Sequence, residues 1–203
     1  MSRTIDRLAT DASTVLAAID TARAAARARA WALAGDHAPD HDTHTGSPLV
    51  IDVDATLVTA HSEKEAAAPT FEKGFGHHPL WAFVDHGPDG TGEPLAQLLR
   101  PGNAGSNTAA DHITVIRAAL RQLRGHRPRG RAGRKVLIRV DGAGASHELL
   151  GRLGTQRLSY SVGFGLTQPS STSSPPSRPR TGSPPTTPTA NPAPGPGSSK
   201  PPA

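Results

Sequence analysis

Beyond Leu166 the chain supplies no apolar side chain larger than Ala, although it runs to 203 residues. From Gln168 to Ala203, Pro, Ser, Thr and Gly occupy 28 of the 36 positions. Ordering the backbone costs about 1–2 kcal/mol per residue, and such a segment has no apolar surface with which to offset it. A disordered, partly polyproline-II tail is therefore predicted for 168–203. Whatever folds must be built from the residues before it. The change is abrupt: Ser159–Leu166 reads SYSVGFGL, a plausible strand, and the pattern then collapses. An evolved linker has this composition. A shifted reading frame in a GC-rich gene has it too, and the abruptness favours a frameshift after about residue 167.

The formal net charge of +5 hides a second pattern. Residues 1–116 carry 8 Lys/Arg against 15 Asp/Glu, whereas 117–139 carry 9 Lys/Arg and no acid. An acidic body is thus followed by a concentrated basic segment. The chain has no Cys, which excludes a disulfide framework, a thiolate metal site and a cysteine nucleophile. No stretch approaches the roughly 20 apolar residues of a membrane span, and the N-terminus lacks the apolar core of a secretory leader. A cytoplasmic protein without a membrane partner is expected.

Ahead of the tail the periodicities predict an α/β order. Residues 1–35 form an N-terminal helical segment. Val15, Leu16, Ile19, Ala22, Ala26, Ala30 and Leu33 recur at helical steps from Asp11 to Ala34, with Thr10 or Asp11 as cap and Gly35 as stop. Arg23, Arg27 and Arg29 read as a solvated face, with DNA-backbone contact as the other reading. Residues 36–48 form a polar linker; its His37, His41 and His44 have metal-like spacing but no rigid support. Residues 49–58, 80–86 and 94–100 read as three strands in a meander, with a long first loop that carries His77 and His78. Those histidines read as a turn-side pair rather than as substrate contacts. A helix over 108–124 follows, with Thr108 and Asp111 resembling a capping box. Then come a basic loop, a strand over 135–141, a short helix and a strand over 158–166.

Leu49–Val58, LVIDVDATLV, is the most informative segment. Strand alternation sets Leu49, Ile51 and Val53 on one face and Asp52 and Asp54 on the other. The two carboxylates are then roughly 6–7 Å apart along the strand. Acids are depleted within strands, so two of them in so apolar a run call for chemistry. Carboxylates on neighbouring strands can share Mg²⁺ or Mn²⁺ ions for phosphoryl transfer. Asp54 and Asp141, at the end of the fourth main strand, could reach a common ion if their strands pair.

The stretches SRTIDRLA, LVIDVDATLVTAHSEKE, FEKGFGHHPLWAFVDHG, GEPLAQLLRPGNAGSNTAADH and KVLIRVDGAGASHELL together resemble the DDE transposases of insertion sequences. The resemblance runs from about Ser2 to Leu166. It implies a ribonuclease-H-like catalytic domain over 49–167, with a mixed sheet of three antiparallel strands, then helix, strand, helix and strand. It implies two Mg²⁺ or Mn²⁺ ions held by an Asp on the first strand, an Asp on the fourth and an acid on a later helix. Asp54 matches the first acid, with Asp52 as the fallback, and Asp141 matches the second. The implied partner is DNA at transposon ends, with a homodimer in intact relatives. Two departures matter. No Asp or Glu follows Glu148, and most of the usual N-terminal DNA-recognition region has no counterpart. The expectation is therefore an incomplete, marginally stable transposase fragment, truncated at both ends, with little activity.

Two other readings stand beside it. Asp52–Leu57, DVDATL, fits the DxDxT of haloacid-dehalogenase-like phosphatases, with Asp52 as nucleophile and Asp54 as acid/base around one Mg²⁺; the later paired-Asp motif of that superfamily has only Asp141 to answer it. A non-catalytic DNA-binding remnant would use Arg121, Arg124, Arg127, Arg129, Arg131 and Arg134 on phosphates, without reading sequence.

Overall fold

The computed structural model describes residues 3–88, 90–105, 108–126, 130–142 and 146–163. All of them belong to a unit of residues 1–166. The predicted tail, the proposed frame break, Arg127 and Arg129 lie outside the described residues.

Alternation of apolar and polar side chains builds a five-stranded mixed sheet. Its strands are β1 (Leu49–Ala55), β5 (Leu80–Val84), β6 (Glu93–Leu98), β7 (Val136–Val140) and β8 (Ser159–Val162). Their order is β6-β5-β1-β7-β8. The first three are antiparallel neighbours, whereas β7 runs parallel to β1 and β8 parallel to β7. The two parallel connections need crossovers, and helices supply covering mass on the way. Helix α3 (Ala109–Arg121) lies between β6 and β7 in sequence, and α4 (His147–Thr155) between β7 and β8.

One face of the sheet is the core. Ile51, Val53, Leu80, Ala82, Val84, Ile138 and Val140 are all within a few per cent of complete burial and cluster with Val115, Ile116, Leu120, Leu149 and Leu153 of the two helices. The alternate residues point the other way. Val50, Asp52, Trp81, Phe83 and Leu137 are only half-buried there, and Asp54 and Arg139 are exposed. Trp81 and Phe83 stack with ring centroids 5.8 Å apart.

The N-terminal segment forms α1 (Arg3–Thr10) and α2 (Ala12–Ala34). Gly35 ends α2 in the left-handed region, at φ 56°, where a side chain would be strained. Asp11 occupies the start without a capping hydrogen bond. Of the two expectations for Arg27, solvated face and DNA contact, neither describes it. Its side chain is buried and donates to Glu93 Oε1 at 2.5 Å, Gln122 Oε1 at 2.7 Å and the Pro94 carbonyl at 2.9 Å. Trp31 Nε1 donates to the other oxygen of Glu93 at 3.0 Å. A guanidinium this deep needs a carboxylate and carbonyls around it, and the edge strand β6 provides them.

Two more expectations are corrected. Thr108 sits at the start of α3, but its side chain caps nothing, and Asp111 does not reach back. Asp111 instead pairs with the buried Arg100, whose Nη1 lies 3.3 Å from Asp111 Oδ2. Arg100 also donates to the carbonyls of His78 and Gly105. The long first loop, moreover, is partly ordered into a second sheet, β2 (Val58–Thr59), β4 (Phe75–His77) and β3 (Ala68–Pro69) in the order β2-β4-β3. Within it His77 and His78 turn their rings to the backbone carbonyls of Glu65 and Ala104.

The polar segment 36–48 is pinned at two points. Ala38 is buried, and Asp40 accepts both guanidinium donors of Arg124 at 2.8 Å. Among the described residues no helix is long and apolar enough to cross a membrane.

Candidate active site

The parallel pairing of β1 and β7 fixes where the acids lie. Asp52 is opposite Arg139, and Val53 is opposite Val140. Asp54 and Asp141 each follow one residue later, at the same end of neighbouring strands about 4.8 Å apart. In-register residues of parallel strands share a face, so both carboxylates stand on the face opposite the core. Asp52, Asp54, Phe83, Gly92, Arg139 and Asp141 line one open cleft there. Asp54 is exposed, and its Oδ1 accepts from the Ala55 amide at 2.8 Å.

Asp52 is in a different situation. Arg139 grips it with two donors, Nε to Oδ1 and Nη2 to Oδ2, the latter at 2.7 Å. Nη2 also reaches Asp85 Oδ2 at 2.9 Å. Asp85 follows β5, and its other oxygen holds the Gly87 amide at 2.8 Å. The hydrogen bond from Arg139 to Asp52 comes first among the causes that hold the guanidinium proton more tightly than usual. One Arg therefore ties β7, β1 and the end of β5 together at the rim of the cleft. Sequence reading missed Arg139 altogether; its place two residues before Asp141, matching Asp52 two before Asp54, was the available signal.

Among the described residues no group of three or more His, Asp or Glu side chains converges as a metal cage. Two neighbouring carboxylates facing an open cleft still fit Mg²⁺, which keeps several waters and takes only one or two protein carboxylates.

The basic segment divides. Arg121 lines a shallow groove between α3 and α4 with Arg117, Arg152 and His126, above Leu120, Leu149 and Leu153. Burial, and then the nearby Arg121, lower the His126 pKa. Arg131 and Arg134 are exposed. Arg124 is engaged by Asp40.

The family model described as transposase DDE domain, group 1, matches residues 1–174, and the chain belongs to that family. None of the curated proteins and none of the solved structures matches it.

Proposed function

We propose that this chain is the ribonuclease-H-like catalytic body of a DDE transposase, with Asp54 and Asp141 as its first two metal-binding acids. The observation that carries the reading is the β1–β7 register, whose last pair, Val53 and Val140, immediately precedes Asp54 and Asp141 at one end of a parallel pair. The strand order β6-β5-β1-β7-β8, with three antiparallel strands and two parallel additions, supports it, as does the family. When bound, Mg²⁺ or Mn²⁺ would polarise a phosphoryl oxygen and activate the attacking oxygen. Asp54 and Asp141 would hold it. The third acid that such centres use on a later helix has no counterpart here, since no Asp or Glu follows Glu148. Strand transfer by this chain alone should therefore be slight.

The phosphatase reading requires Asp52 as a nucleophile, and the bidentate grip of Arg139 ties up both of its oxygens. A group so paired is a poor attacking nucleophile.

Metal binding tests the proposal directly. In Mn²⁺ titrations followed by electron paramagnetic resonance, Asp54→Asn and Asp141→Asn should each weaken binding by about 10-fold or more, as expected for loss of a ligand and its charge. Unchanged binding in both variants would refute the assignment.

The partner we propose is DNA, contacted through Arg121, Arg131 and Arg134 together with Arg127 and Arg129. Arg124 would join them only after giving up Asp40. With about four phosphates neutralised, duplex affinity should fall on the order of 100-fold between 50 and 200 mM salt. A flat salt profile in a fluorescence-anisotropy titration would remove this interface.

A further inference from the structure

The cleft that holds Asp54 and Asp141 also holds a third carboxylate, Asp52, on the same strand face as Asp54. Asp52 and Asp54 stand roughly 6–7 Å apart along β1, so each is a candidate for the one place this strand offers to a cation shared with Asp141. They are not equivalent here. Asp54 is exposed, whereas both oxygens of Asp52 point at the guanidinium of Arg139, whose Nη2 is also held by Asp85. A planar guanidinium fits a carboxylate at two points at once. A divalent ion approaching Asp52 would have to break that pair and would meet a fixed positive charge at close range.

We propose that Arg139 is a built-in cation that withholds Asp52 from the metal centre, so that Asp54 and not Asp52 serves as the first acid. Arg139 is on this view a positioning residue. The inference rests on the assignment of Asp54 and Asp141 as metal-holding acids. A purely structural role, stitching β5, β1 and β7, would make Arg139 important for stability but would leave cation affinity unmoved.

The test uses Mn²⁺ as the probe, the full chain, and the free-ion resonance signal as the readout. Arg139→Gln should bind Mn²⁺ about 10-fold more tightly than the wild type, because it frees a ligand and removes a positive charge. The double variant Asp52→Asn/Arg139→Gln, which deletes the pair without changing net charge, should return to within about threefold of the wild type. Asp52→Asn alone should weaken binding by less than about fivefold, since Asp52 then acts only through its field. Arg139→Lys keeps the charge but loses the two-point fit, and should tighten binding by about threefold; it decides the matter if Arg139→Gln does not fold. Unchanged or weaker binding in the Arg139 variants overturns the inference. So does tightening that persists in the double variant, or a loss in Asp52→Asn as large as that in Asp54→Asn. In each of those cases the assignment of Asp54 and Asp141 stands if their own variants lose Mn²⁺. If no form of the protein binds Mn²⁺, both the assignment and the inference fall.

Discussion

Glu93→Gln should cost about 3 kcal/mol of folding stability, because it leaves the buried Arg27 guanidinium without a full counter-charge. For a chain of this size that corresponds to a fall in Tm of about 9 °C. The effect is large because Glu93 serves several donors. It accepts from Arg27 on one oxygen and from Trp31 and His86 on the other. Burial pushes its carboxyl up, and the hydrogen bonds from Arg27 and then Trp31 outweigh that, so its pKa lies below the usual value of 4.5. The sign of the pH dependence follows. A carboxylate with a depressed folded-state pKa stabilises the fold above its unfolded value, and that stabilisation disappears as pH falls through the folded one. The gap in Tm between wild type and Glu93→Gln should therefore be constant from pH 7 to about pH 5 and close at lower pH. Thermal melts followed by circular dichroism at several pH values check this. A gap that stayed the same down to pH 3 would mean that the carboxylate's charge is not what matters.

Gly102→Ala should destabilise by about 2–3 kcal/mol through overpacking. A Cβ placed on Gly102 would lie 2.4 Å from the Ala68 carbonyl oxygen and 2.7 Å from that of Gly76. Both are backbone atoms of the small sheet, which cannot move aside as a flexible side chain can. Gly102 also follows Pro101, which bridges to His77, and lies two residues after Arg100. The clash would push β3 and β4 away from the loop that Arg100 organises. Chemical denaturation should show the loss, and proteolysis should cut within 61–78 earlier than in the wild type. Normal stability for this variant would show that the two segments are not in close contact.

Much of the fold could be read from the sequence because the main strands and helices carry strong periods. LVIDVDA alternates without interruption, and β1 emerged where expected, with both acids on its outer face. The strand stops at Ala55 and not at Val58: the Thr56 amide makes one more bond along the β5 side, to the Pro79 carbonyl, and the chain then passes to the small sheet, which starts at Val58. That sheet could not be foreseen. Its strands have two or three residues, too few to show a period, and their pairing depends on close backbone approach at Gly76 and Gly102. Arg27 was equally opaque. An arginine in an Ala-rich helix reads as surface, and its partner Glu93 is 66 residues away. Asp111 failed as a cap for a similar reason: a buried arginine elsewhere in the chain had the stronger claim on it. At the candidate site the type and spacing of the acids were legible. Which acid of β1 stands clear was not, because it depends on a cross-strand register that a single strand does not encode.

The attachment of α2 has a mechanical side. Among the described residues its side-chain ties to the body lie between Asp20, whose carbonyl accepts from Gln122, and Trp31. Ahead of Asp20 the helix exposes Leu16 and Ile19, and α1 has no buried residue. Residues 12–19 therefore form an overhang of about 12 Å, a cantilever clamped at one end by a charged knot. A load applied near Arg3 would be felt as torque at Arg27, not as local fraying at the tip. The same knot thus also sets how stiffly the sheet feels whatever grips the N-terminal arm.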